Sequence, residues 1–235
     1  MHMTSLNPLY TIKQQLISII KRHKKIHGNL LEREAIKLIN LIGISEKRLN
    51  NYPHEFSGGM RQRICIAMAL VGRPSIIIAD EPTTALDVTI QAQILQLIKE
   101  ISEKFSTSII FITHDLGVIA ELCDYVLVMY AGKALEYTDV YTLFSKPIHP
   151  YTRALIKLMP KAKGSIKKLN PIKGTVPDLF NIPLGCVFYP RCDFYKEKCK
   201  ILEPKLIEVE NNHFVRCHLF TEIRNDRKEA ICNTT

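Results

Sequence analysis

The chain has 235 residues, 46% of them apolar, which is enough to pack one full domain and a smaller appendage. No apolar run approaches the ~18 residues of a membrane span, and the start has no basic-then-apolar leader, so the sequence argues against an integral membrane protein and an exported one. Seven cysteines, an odd number without an export signal, argue against a disulfide framework.

The net charge of +9 is unevenly placed. Segment 1–31 carries Lys13, Lys21, Arg22, Lys24 and Lys25 with no acid, and segment 161–173 carries Lys161, Lys163, Lys167, Lys168 and Lys173 with no acid. Such runs are read as solvated faces or as contacts with an anionic membrane surface. No aromatic is interleaved with them at a useful spacing, so no nucleic-acid partner is expected.

In chain order, the apolar spacing predicts helices over Thr11–Lys25 and Leu30–Leu41, the second stopped by Gly43. Asn51-Tyr52-Pro53 predicts a turn, and Ser57 is placed to cap a helix to Val71. Ser75–Ala79 and Ser108–Thr113 read as buried strands on either side of a long helix from Val88 capped by Asp87. A short helix over Asp115–Leu122, a third strand over Tyr125–Tyr130 and a short fourth after Gly132 follow. This alternation predicts a mostly parallel α/β sheet. From Lys146 onward prolines break the pattern, so a boundary is expected there: 1–145 as the main domain (1–72 helical, 73–145 strands), and 146–235 as a small irregular domain.

Three segments carry chemistry. Ile76–Asp80 followed by Glu81 is an apolar strand tipped by two carboxylates, where one acid can hold Mg²⁺ through water and the next can deprotonate a nucleophilic water. Alone, it reads equally as a strand ending in a solvated acidic turn. Ser57-Gly58-Gly59 opens a helix, exposing backbone amides at the positive end of the dipole with room for a phosphate. Alone, it is an ordinary glycine-containing cap. His114, at the end of the second core strand, can hydrogen-bond a phosphate or be purely structural.

The order of these features, Ser-Gly-Gly helix, acid-tipped strand, Ala85-Leu86-Asp87 and strand with His114, resembles the ABC-transporter ATPase family over most of the chain. By that resemblance Phe56–Met60 is the signature, Ile76–Asp80 the Walker B strand, Glu81 the catalytic base, Ala85–Asp87 the D-loop and His114 the switch histidine. The resemblance implies two ATPase subunits facing head to tail. Ser57 and Gly59 would then hold the γ-phosphate of an ATP seated on the second subunit, and Gly58 and Asp87 count with them as nucleotide-binding residues. Asp80, Glu81 and His114 would act on an ATP and Mg²⁺ of their own subunit. The implied fold class is α/β, an incomplete P-loop ABC ATPase domain (parallel sheet plus helical signature subdomain) with a small irregular Cys-containing C-terminal domain. The sequence has no Gly-x₄-Gly-Lys-Ser/Thr loop: Gly132-Lys133 is followed by Ala134 and lies after His114. The family's Q-loop glutamine would fall just before Met3–Pro8, so the chain is expected to begin past it, to leave a bare sheet face, and to hydrolyse no ATP by itself.

Thr4–Pro8, Phe56–Arg63 and His149–Leu155 resemble the oligopeptide/dipeptide importer branch. So does the tail with Cys186, Cys192, Cys199 and Cys217, a set that in that branch can hold a [4Fe–4S] cluster and that reads otherwise as four unrelated buried thiols. Four thiolates suit iron–sulfur or zinc, and the lack of tight C-x₂-C pairs favours iron–sulfur. Arg191 is placed to stabilise a Cys192 thiolate. Cys65 and Cys123 read as core residues, and Cys232 as uninvolved. The resemblance implies a second ATPase subunit and transmembrane permease subunits as partners, and a peripheral place on the cytoplasmic face of the membrane. Two competing readings are a non-hydrolysing partner that lends only its signature, and an ABC ATPase of DNA repair or translation; the cysteine tail and His149–Leu155 count against the second.

Overall fold

In a computed structural model, residues 6–159, 171–178 and 180–220 are described. Most of the second lysine run, Met3–Ser5 and Cys232 lie outside them. The chain divides into two compact units, Met1–Val118 and Ile119–Thr235.

The first unit opens with α1 (Ile12–His23). Its start is a capping box: the Thr11 hydroxyl accepts from the Gln14 amide, and Gln14 Oε1 accepts from the Thr11 amide at 2.9 Å. Ile12, Leu16 and Ile20 form its buried stripe and meet Leu31, Ala35, Leu38 and Ile39 of α2 (Asn29–Leu41). Gly43 follows at φ +73°, a left-handed conformation that glycine adopts without strain. A 3₁₀ turn at Pro53–Glu55 leads to α3 (Gly58–Leu70). This helix buries Gln62, Ile64, Cys65, Ile66, Ala67 and Leu70, so it is covered on more sides than a single apolar stripe would give.

Next come β1 (Ile76–Asp80), α4 (Val88–Phe105) and β2 (Ser108–Ile112). The two strands pair in parallel, Ile76 with Ser108 through Asp80 with Ile112. Side chains alternate across a strand. Ile77, Ile109 and Phe111 therefore join Ile94, Leu97, Ile98 and Ile101 of α4 in the core. The opposite face is open, with Ile76, Ile78, Ile110 and Ile112 exposed by 57, 56, 50 and 48%. The sequence pattern predicts fully buried strands; here each buries one face.

The helix α5 (Leu116–Leu122) runs across the division between the units. In the second unit β3 (Tyr125–Tyr130) and β4 (Lys133–Asp139) form an antiparallel hairpin. Its two-residue loop, Ala131-Gly132, has positive φ at both positions (45° and 75°), as the twist of a tight hairpin requires. Then follow α6 (Val140–Ser145), α7 (Pro150–Lys157), α8 (Lys198–Ile201), β5 (Ile207–Glu210) and β6 (His213–Val215). The sheet order is β3-β4-β6-β5, antiparallel throughout. The expected parallel sheet thus covers β1 and β2 only. The tail, irregular by its prolines, supplies a hairpin that completes the sheet begun by β4. Among the described residues no helix is long and apolar enough to cross a membrane.

Candidate functional site

In the first unit, the β1–β2 ladder runs one residue past β1, where the Glu81 amide donates to the Ile112 carbonyl at 2.8 Å. Glu81 then takes φ 47°, a left-handed conformation that costs a non-glycine residue about 1–3 kcal/mol and turns the chain sharply off the strand. Its carboxylate is held from two sides: Oε1 lies 2.7 Å from His114 Nδ1, and Oε2 accepts from the Thr84 hydroxyl at 2.7 Å. The His114 contact, with help from Thr84, holds the Glu81 carboxyl below its usual range despite partial burial. The same contact raises the His114 pKa. The His114 side chain is 82% exposed and that of Glu81 32%, so the pair faces solvent. Asp80 closes β1 opposite Ile112. The Glu81 carboxylate and the His114 imidazole therefore meet at the ends of two parallel strands, on the side open to solvent, with Asp80 as the last residue of β1 just before them.

The loop from Glu81 returns through Ala85 (φ 63°) to Asp87, whose Oδ1 accepts from the Ile90 amide at 2.9 Å and caps α4. Ser57 caps α3 by accepting from the Met60 amide. The two helix starts lie side by side: a Cβ on Gly59 would come 2.3 Å from Ile90 Cγ2. Gly59 is buried there, whereas Ser57 is exposed and Gly58 half-buried. Packing against Ile90 thus accounts for Gly59, and the open part of the turn is Ser57-Gly58. Two contributors were missed from the sequence: Thr84, which holds Glu81, and Gln91, whose Nε2 donates to Asp115 Oδ2 at 3.1 Å and ties α4 to the segment after His114. A hydroxyl three residues beyond a strand-end acid is the signal that could have found Thr84.

In the second unit, Cys186, Cys192, Cys199 and Cys217 line one small cavity together with Phe188 and His149. Burial raises the thiol pKa of Cys186 and Cys192, and pushes Cys217 up to about 12; the neighbouring cysteines add to each shift. Arg191 does not serve Cys192 as the sequence suggests: its guanidinium donates to the carbonyls of Ile172 and Lys173 and to the Tyr130 hydroxyl. Among the described residues no three His, Cys, Asp or Glu side chains are arranged to hold a metal ion.

Residues 2–84 match the family model described as ABC transporter, and residues 135–199 match that described as oligopeptide/dipeptide transporter, C-terminal region. The chain is 48% identical over 222 residues to the oligopeptide transport ATP-binding protein AppD of Bacillus subtilis, covering 94% of this chain and 68% of that protein. The chain belongs to the ABC transporter ATP-binding family. Its match to OppD of Haemophilus influenzae, at 47% identity with the same coverage, places it with the oligopeptide and dipeptide branch. Among solved structures, the dimeric ATP-binding cassette MJ0796 bound to ADP and Pi superposes with a TM-score of 0.53 at 27% identity. That match covers 60% of this chain and 61% of the cassette, so the ABC fold is shared over the matched part.

Proposed function

We propose that the chain serves as an ATP-binding subunit of an ABC importer for oligopeptides or dipeptides, peripheral to the membrane and paired with a second ATPase subunit and with permease subunits. The observation that carries this is the Glu81–His114 pair on the parallel strand ends, in the order the family requires after Ser57-Gly58. Asp80 would hold Mg²⁺ through water. Glu81 would orient and deprotonate the attacking water, and His114, hydrogen-bonded to it, would sense the γ-phosphate. Ser57 and the first amides of α3, which have no acceptor within the helix, would close on the ATP of the second subunit, and Asp87 would hold the adjoining helix start.

The 235 residues contain no phosphate-cradling lysine loop, so Glu81 has no nucleotide to act on when the chain is by itself. Purified alone, the chain is expected to show no saturable ATP turnover above its own Glu81→Gln variant. Reconstituted with a peptide permease and an intact second ATPase subunit, it is expected to support peptide-stimulated turnover, and Ser57→Arg is expected to cut this about a hundredfold or more. Turnover indifferent to Ser57→Arg would sink the proposal.

The cysteine cavity supports a second part of the reading. Four thiols on one pocket suit a [4Fe–4S] cluster, which takes four cysteine ligands. Zinc, which four thiolates can also hold, is the alternative. When bound, the cluster would cross-link a proline-rich segment that has little core of its own, a structural role.

A further inference from the structure

Three of the four cysteines are joined through main-chain hydrogen bonds. The Cys192 amide donates to the Tyr189 carbonyl at 3.2 Å, the Tyr189 amide to the Cys186 carbonyl at 3.0 Å, and the Cys186 amide to the Cys199 carbonyl at 2.8 Å. The first two are local turns. The third spans thirteen residues of sequence and brings the 185–186 backbone flat against α8, whose first turn is fixed by the Cys199 amide donating to Lys196 O at 2.8 Å. That approach is possible only at a residue with no side chain. A Cβ on residue 185 would lie 2.2 Å from Cys199 O, 2.7 Å from Lys200 C and 2.9 Å from Cys199 C. All three are backbone atoms, so no rotamer change could relieve the overlap. The free end of this relay is pinned as well, since Arg191, next to Cys192, donates to Ile172 O and Lys173 O.

We infer that Gly185 is a positioning residue for the cysteine pocket: by letting the Cys186 amide reach the Cys199 carbonyl, it fixes the backbone that carries Cys186 and Cys199 before any metal arrives, and leaves the thiols to turn inward on loading. The inference rests on the proposed metal centre for its purpose, but the clasp is a property of the polypeptide. It separates this pocket from sites in which the chain is unfolded until metal binds. With the backbone already fixed, only the thiol side chains remain to be ordered at the moment of loading, so such a site binds more tightly than one on a loose chain.

The test uses the full chain, purified without oxygen and kept metal-free, then reconstituted with ferrous iron and sulfide. In the metal-free protein the amides of Cys186 and Cys192 are expected to exchange with deuterium slowly, as hydrogen-bonded amides do. After reconstitution the parent protein is expected to gain stoichiometric iron and visible absorbance. Gly185→Ala is expected to bind iron at least tenfold more weakly, with helix content unchanged. Unprotected Cys186 in the metal-free parent, or iron loading by Gly185→Ala equal to the parent, overturns the inference. If Gly185→Ala fails to fold, the amide exchange of the parent decides alone. A parent that takes up no iron while both amides stay protected refutes the metal centre and leaves the clasp standing.

Discussion

The two units handle polar groups in opposite ways. In the first, Glu81 and His114 stand at the open end of a two-stranded sheet, with a strained backbone at Glu81 and a histidine largely in solvent. In the second, Glu136 on β4 is fully buried, and three contacts hold its carboxylate. It accepts from the Ile148 and His149 amides at 2.9 Å each and lies 2.8 Å from His213 Nε2 on β6. Both are carboxylate–imidazole pairs at about the same distance. The exposed, two-contact carboxylate retains lone pairs for a water or ligand, and is suited to chemistry. The buried one, with three protein contacts and no exposure to solvent, acts as a strut between β4, the start of α7 and β6. Burial, rather than residue type, tells a working pair from a scaffolding one.

The largest effect expected from this contrast is at the strut. Glu136→Ala leaves two buried amides and the His213 ring without their acceptor, and is expected to destabilise the second unit by about 3–5 kcal/mol. Chemical denaturation followed in that unit measures this, and a loss below about 1 kcal/mol would erase the distinction. A middle-sized effect is expected where the two capped helices touch. Gly59→Ala pushes a Cβ into Ile90 and is expected to cost about 1–3 kcal/mol, most of it recovered in the Gly59→Ala/Ile90→Ala double variant. A double-mutant cycle by denaturation checks it; strict additivity would mean that the contact is not the cause.

The smallest effect on stability belongs to the exposed pair, at most about 1 kcal/mol. The His114 pKa is raised, so its share is present at pH below the ordinary histidine value and is lost as pH rises through the raised value. The Glu81 pKa is lowered, so its share is present above the ordinary glutamate value and is lost as pH falls through the lowered one. The pair is therefore intact between those two ordinary values, about 4.3 and 6.5. In Glu81→Gln the His114 titration, followed by NMR, is expected to drop toward the ordinary histidine value. An unchanged titration would show that the two side chains are not coupled.

What could be read from the sequence was local. Ser57 and Asp87 cap the helices they precede, because an N-cap needs only a side-chain oxygen within three residues of an amide. β1 and β2 fall where short β-branched runs place them, and the four cysteines of the tail do meet at one cavity. What escaped was long-range. Glu136, in a strand with alternating pattern, looks like any solvent-facing acid until β6 is laid beside it. The β5–β6 hairpin is short, and its pairing with β4 is set by residues far along the chain. Gly59 reads as space for a phosphate; that a side chain there would also meet Ile90 could not be read from the sequence. The open face of β1 and β2 could not be told from a covered one, because Ile76 and Ile78 are as apolar as Ile77.

The partnership of Glu136 with His213 also sets a clock on biosynthesis. The two are 77 residues apart in sequence. At ribosomal speeds of about 5–20 residues per second, β4 leaves the tunnel about 4–15 seconds ahead of its neighbour β6. Throughout that interval the nascent chain carries an unmatched acid and a naked strand border.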